Sequence, residues 1–298
     1  MPGGQEQILR RRIRSVKATQ KITRAMELIA ASQIVRAQGR IAGAAPYLTG
    51  IAAVLAEAAE DAGAAAGRIL GVPESPERVL VVAVVADRGL CGGYNANVLR
   101  PTERLVRPGA NPGVEYRIVS VGRKAQSFFR FRGIEVETSF SGFSDRPAFE
   151  DARAIAATVT PPFLAEQVDQ VLLVSTRFLS AGTQVVETRQ LLPLPEPAGE
   201  DERPATPGYT EFEPESPELL VELVPRYVEA AIFGALLEAS ASEHTARQRA
   251  MAAATDNADD LVKNLTRVMN RARQDAITTE IMEIVSGAEA LRQSTDSE

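Results

Sequence analysis

The sequence of 298 residues has no tryptophan, one cysteine (Cys91) and one histidine (His244). A lone cysteine excludes an internal disulfide and a multi-cysteine metal site, and it fits a reducing compartment. A lone histidine removes most zinc sites and the usual hydrolytic triads. No apolar run approaches the roughly 18 residues expected of a membrane span, and the run at 79–86 is strand-sized. The net charge of -6 argues against generic nucleic-acid binding. What remains, 45% hydrophobic and 24% charged residues, is ordinary for a folded chain with one large core or two modules.

Proline is also missing beyond Pro225, and the stretch 219–291 has only two glycines, Gly234 and Gly287. Within it Met251, Ala254, Ala258, Leu261, Leu265, Val268 and Ala272 recur at alternating steps of three and four. Such spacing is the apolar seam of a coiled coil. A single helix over this stretch would reach on the order of 110 Å, so part of it should protrude from any compact domain.

The partner helix is predicted at the other end of the chain. Residues 5–59 are rich in Ala, Arg, Gln and Leu, and Ala30, Ile34, Ala37, Ile41, Ala44, Leu48, Ile51 and Leu55 form a second seam. Pro46 should kink or locally break it. Earlier, Leu9, Ile13, Val16, Ile22, Met26 and Ile29 follow a less regular phase among Arg10, Arg11, Arg12, Arg14, Lys17, Lys21 and Arg24. This basic segment reads as the solvated face of a coiled coil, a surface for an acidic protein, or a membrane or nucleic-acid helix. A transit peptide fits poorly, because the helical pattern continues far past a cleavage site.

After Gly71 a Pro-rich linker leads to strands and helices in alternation. Strands are predicted at 78–86, 116–121, 134–140, 170–175 and 184–192, with helices at 95–106, 123–131 and 147–157. That order predicts an α/β module with a mainly parallel, Rossmann-like sheet. Residues 193–217 are acidic and Pro-rich, the composition of a surface loop. The predicted organisation is a coiled-coil helix at 1–70, an α/β foot at 71–195, a loop at 196–217 and a second coiled-coil helix at 218–298. The two helices should pair antiparallel across the inserted module.

Several patterns are candidate sites. Residues 87–95 (DRGLCGGYN) follow the first strand, where open α/β sheets place ligands, yet they form neither a Walker A loop nor a dinucleotide fingerprint. A plain strand-to-helix turn explains them as well. Cys91 has no base near it in sequence, and His244 reads as a polar interface residue. Asp256, Asp259 and Asp260 fit a solvated face better than a cation site. Near Arg273 and Gln274 the 251–272 seam should slip in phase and resume at Ile277, Ile281, Ile284, Ala288 and Leu291. A slip turns polar side chains away from the partner helix, and a fork in packing explains the pattern equally well.

Three stretches, 12–38 (RIRSVKATQKITRAMELIAASQIVRAQ), 87–95 and 242–291, together resemble the gamma subunits of F-type ATP synthases over essentially the whole chain. The resemblance implies a rotor shaft that binds no cofactor itself. ATP, ADP and Mg would lie on alpha and beta subunits, and the foot would rest on the c-ring and epsilon. It implies that Met26 and its basic helix face an acidic lever of a beta subunit. Arg88, Gly89, Leu90, Cys91, Gly92 and Gly93 would form the family's glycine-rich turn, near that lever, epsilon and the c-ring. Arg273 and Gln274 would contact a beta loop, with Arg247 and Thr278 in the same coupling region. Ser32-Gln33-Ile34 departs from the usual Ser-Lys-hydrophobic run, and the 193–217 loop is distinctive.

On this resemblance the coiled coil turns with the c-ring and presents different faces to three beta subunits, biasing each among conformations. One copy would serve three alpha and three beta subunits. The chain would lie at the cytoplasmic face of a bacterial plasma membrane, touching it only through partners and binding no nucleic acid. Two other classes make different demands. A nucleotide-binding enzyme needs a phosphate loop, and a scaffold coiled coil leaves the glycine-rich turn unexplained.

Overall fold

A computed structural model describes residues 2–63, 69–71, 75–107, 109, 111–194 and 216–295. In chain order the elements are α1 (Pro2–Ala62), β1 (Arg78–Val84), α2 (Tyr94–Val106), β2 (Glu115–Val121), α3 (Arg123–Phe131), β3 (Thr138–Phe140), α4 (Phe149–Leu164), β4 (Gln170–Phe178), β5 (Gln184–Leu192) and α5 (Ser216–Thr295). Two units result: residues 30–248, and residues 1–29 with 249–298.

The larger unit is built on one sheet of order β3-β2-β1-β4-β5. β1 pairs in parallel with β2 and β4, β2 with β3, and only β5 runs antiparallel. The chain steps outward from β1 to β3, then returns through α4 to the other side of β1. Right-handed crossovers taken in opposite directions put their helices on opposite faces. Accordingly Val98, Leu99, Ala125 and Phe129 of α2 and α3 pack with Val79, Val81 and Ala83 on one face. Ile155 and Val159 of α4, Leu55 of α1, and Val228 and Ile232 of α5 pack with Leu80, Val82 and Val84 on the other. Every residue of β1 from Val79 onward is buried, which explains its unbroken apolar run.

In this unit α1 and α5 approach closely. A Cβ on Gly234 would come within 3.0 Å of Leu48 Cδ1. All eight predicted α1 seam residues from Ala30 to Leu55 are buried or half-buried. Pro46 lies inside the helix, which continues through it. One expectation needs correction. α1 contains an 18-residue window of mean hydropathy 1.4, apolar enough by length and composition to cross a membrane. Its Ile, Leu and Val residues are scattered among alanines and glycines around 41–58, so no block of large side chains announces it.

The smaller unit is an antiparallel helix pair. Gln20 donates to Asp259 at 3.4 Å, and the hydroxyls of Thr23 and Thr255 lie 2.8 Å apart. Its α5 seam is Met251, Thr255, Ala258, Val262, Leu265, Met269, Ala272 and Ala276, all buried or half-buried. Leu261 and Val268 are exposed instead, at 40% and 51%. Pattern reading favoured them as large apolar residues, but Thr255 can turn inward because Met251 O and Thr23 satisfy its hydroxyl. The same holds across the pair, where Gln20 and Thr23 take seam positions while Ile22 and Ile29 face out.

The phase slip at Arg273 and Gln274 is absent. Steps of four and three run unbroken from Met251 to Ala276, and residues 277–288 are then exposed throughout. On the antiparallel count set by Thr23 and Thr255, Pro2, the first residue of α1, stands opposite Ala276. Ile277, Ile281 and Ile284 therefore lie past the described turns of α1 and are exposed.

Candidate coupling surfaces

The glycine-rich segment leaves the carboxyl end of β1 at the point where the strand order reverses. Asp87, which opens it, is the knot of the local structure. Its carboxylate accepts from the backbone N–H groups of Arg123 (3.0 Å), Gly142 (2.8 Å) and Ser144 (3.2 Å). Asn95 closes it, accepting from Ala86 N at 2.9 Å and donating to Arg88 O at 3.3 Å. Between them Leu90 (φ 62) and Gly92 (φ 57) take left-handed backbone conformations, so the turn is tight and Leu90 is pushed into solvent at 64% exposure. Gly93 stands at the N-cap of α2.

The turn is fastened to α5. Tyr94 donates to Ala239 O at 3.1 Å, Cys91 packs with Ala86, Tyr94 and Ala246, and Arg247 Nη2 lies 3.5 Å from Gly89 O. Arg247 is itself held at 2.6 Å by Glu243, a pair one helical turn apart and almost wholly buried. Burial raises the Glu243 carboxyl above its ordinary value, and Arg247 pulls it back. Burial likewise raises the Cys91 thiol, with Glu243 adding to the shift, so no activated thiolate is present. His244 donates through Nε2 to Asp145 O at 3.2 Å, and burial lowers its pKa. The Asp145 carboxylate meets Arg88 at 3.2 Å.

Thus Arg88 and Leu90 are presented outward, whereas Cys91 and Arg247 are interior. The structure joins Arg247 to Gly89, two residues far apart in sequence. Sequence reading passed over Asp87 and Asn95 as the bracing residues of their own motif, and over Glu243, Asp145 and Tyr94. A buried acid four residues before an arginine was the available signal for Glu243. The cleft lined by Val84, Tyr94, Phe143, Leu236 and Glu243 admits about one water molecule, too little for a nucleotide.

In the smaller unit Met26 is half-buried, and the basic side chains Arg11, Arg12, Arg14, Lys17, Lys21 and Arg24 are exposed. Arg273, Gln274 and Thr278 are exposed on α5, where Thr278 donates back to Gln274 O at 3.0 Å. Lys263 meets Asp259 at 2.6 Å and Asp260 at 3.3 Å, so these acids are already paired. Among the described residues no group of three or more His, Cys, Asp or Glu could hold a metal.

Known proteins resemble this chain along its length. The family model described as ATP synthase matches residues 5–291. The ATP synthase gamma chain of Parafrankia sp. (strain EAN1pec) is 46% identical over 295 residues, covering 97% of this chain and 98% of that one. That of Frankia casuarinae is also 46% identical, covering 98% and 99%. Among solved structures, a chain of the Euglena gracilis mitochondrial ATP synthase OSCP/F1/c-ring assembly aligns with a TM-score of 0.68 at 18% identity, over 98% of this chain and 96% of that one. A chain of the Tetrahymena thermophila mitochondrial ATP synthase central stalk and c-ring gives 0.61 at 24% identity, over 78% and 99%. These structural likenesses establish the shared fold, an α/β sheet between long terminal helices. With the family match and the near-full-length identity, the chain belongs to the ATP synthase gamma chains.

Proposed function

We propose that this gamma chain is the non-catalytic shaft that couples rotation of a c-ring to the catalytic beta subunits of a proton-translocating ATP synthase. One copy stands within three alpha and three beta subunits, and the α/β unit contacts epsilon and the c-ring. ATP, ADP and Mg bind on alpha and beta, and this chain holds no cofactor. Its membrane contact, at the cytoplasmic face of a bacterial plasma membrane, runs through those partners.

The observation that carries the reading is the unpaired end of α5. Ile281, Met282, Ile284 and Val285 are 55–72% exposed, next to the exposed Arg273, Gln274 and Thr278. Exposing several large apolar residues in a row is unfavourable by roughly 1.5–3 kcal/mol each relative to full burial, so this helix is built to be enclosed by other chains. A shaft also needs stiffness, which long paired helices provide. Rotation then presents Arg273 and Gln274 to each beta subunit in turn, shifting its conformational equilibrium by differential contact.

Co-expression with alpha and beta subunits from the same source, followed by native mass spectrometry and an ATPase assay, tests this. The expected result is one copy per three of each, with activity falling when Arg273 and Gln274 both become Ala. A homodimer formed through the exposed α5 face, indifferent to alpha and beta, would favour a scaffold instead.

A further inference from the structure

Residues 88–132 carry nine basic side chains against two acids, Glu103 and Glu115, in a chain whose net charge is -6. Seven of the nine lie on α2 and α3 or at their C-caps, and the two helices lie side by side on one face of the sheet. Their inward sides are fully used by Val98, Leu99, Ala125 and Phe129. Arg100, Arg104, Arg107, Lys124 and Arg130 point outward and are exposed. Among the described residues none of these five meets a carboxylate. The other four are paired: Arg132 meets Glu103 at 3.2 Å and so bridges the two helices, while Arg88, Arg117 and Arg123 meet Asp145, Glu137 and Asp87. At the end of α3 Phe131 is 85% exposed, the most exposed large apolar side chain among the described residues, and it sits between Arg130 and Arg132.

A merely solvated face would interleave both signs of charge. Here like charges stand one turn apart, as at Arg100 and Arg104, an arrangement that weakens a helix unless something anionic compensates. We propose that the outer face of α2 and α3 docks an acidic protein segment, with Phe131 as its aromatic anchor. Eight of the nine basic residues are arginine, whose planar fork pairs with carboxylates through two hydrogen bonds at once. An aromatic ring flanked by arginines is also the composition of interface hot spots. A lipid surface fits less well. Apart from Phe131, the apolar sides of both helices are spent on the sheet, leaving no amphipathic face to lie in a bilayer. The proposal stands apart from the rotor reading, since it concerns a surface at the opposite side of the sheet from α5.

The test uses the full chain carrying Arg11→Glu and Arg14→Glu, which weaken the competing basic surface on α1, and each variant is compared with that background. The probe is a random glutamate–tyrosine copolymer, with polyglutamate and phosphatidylglycerol vesicles compared under the same salt. Hydrogen exchange should slow in 94–106 and 123–132 when the copolymer is added. Adding Arg104→Glu and Arg130→Glu should weaken copolymer binding about tenfold or more. Phe131→Ala should weaken the copolymer but not polyglutamate. These side chains are exposed, so the fold should survive, and the milder Arg130→Gln checks that. Unchanged copolymer affinity in the double reversal would overturn the proposal. So would protection confined to other elements. Binding to vesicles alone, lost with Phe131→Ala, would replace it with a lipid-docking face.

Discussion

Gly122 is the most sterically constrained of the described glycines. Its φ is +96°, and a Cβ there would lie 2.2 Å from the carbonyl oxygen of Val85. The close approach lets the β2–α3 turn lie against the end of β1, beside the glycine-rich segment. Gly122→Ala adds both backbone strain and a clash that no side chain can relieve, so a loss of about 3–5 kcal/mol is expected. Chemical denaturation of the full chain reads it. His244 gives a second prediction at this scale. Its folded pKa is depressed, so its contribution to stability is complete above the ordinary imidazole value of about 6.5 and fades as pH falls below that. Glu243 has the opposite sign, because its raised pKa makes the folded state less favoured as pH rises out of the carboxyl range. Replacing His244 with Gln should therefore flatten the acid-side loss while leaving the Glu243 contribution in both proteins. A pH series of denaturation midpoints separates them. An unchanged profile would show that the imidazole is not buried as described.

At the scale of elements, the helix pair of the smaller unit is aligned by a polar layer inside an apolar seam. Thr23 and Thr255 meet at 2.8 Å, and each also has a carbonyl on its own helix within reach. Thr23→Val should cost about 1 kcal/mol, and the double change with Thr255→Val should cost less than the two singles added. Additive costs would mean that the hydroxyls do not interact. The same layer explains where sequence reading succeeded and where it misread. The alternation of strands and helices was legible because β1 is buried on both faces and the helices have clear apolar sides. The α1 seam from Ala30 to Leu55 was legible because its members are apolar. The α5 seam was misread by one position in each heptad, since Thr255 packs inward while Leu261 and Val268 do not. The end of the pair at Ala276 was mistaken for a slip, because spacing reveals a stripe but not whether a partner lies beside it. At the candidate site the glycine-rich motif was visible, but its bracing by Asp87 and its tie to Glu243 and Arg247 depend on tertiary contacts.

At the scale of the whole molecule, the two ends of the proposed coupling fall to different residues. In the proposed shaft the α5 segment after Ala276 is the end enclosed by alpha and beta subunits, and the α/β unit is the end attached to epsilon and the c-ring. Ile281→Glu with Ile284→Glu places charge where large apolar side chains now stand exposed. That variant should keep its fold, since nothing in the described chain packs there, yet lose stable assembly with alpha and beta by native mass spectrometry. Assembly unchanged by both charges would mean that this face is not enclosed.

The central claim, that the chain turns as it couples, is most directly tested by watching it turn. Cys91 is buried, so a cysteine introduced at the exposed Ser127 on α3 would be the reactive handle for a bead. With the alpha and beta subunits fixed to a surface and ATP supplied, the bead should rotate in one direction, pausing at three positions per turn. Sustained ATP hydrolysis with a motionless bead on a correctly assembled complex would contradict the account.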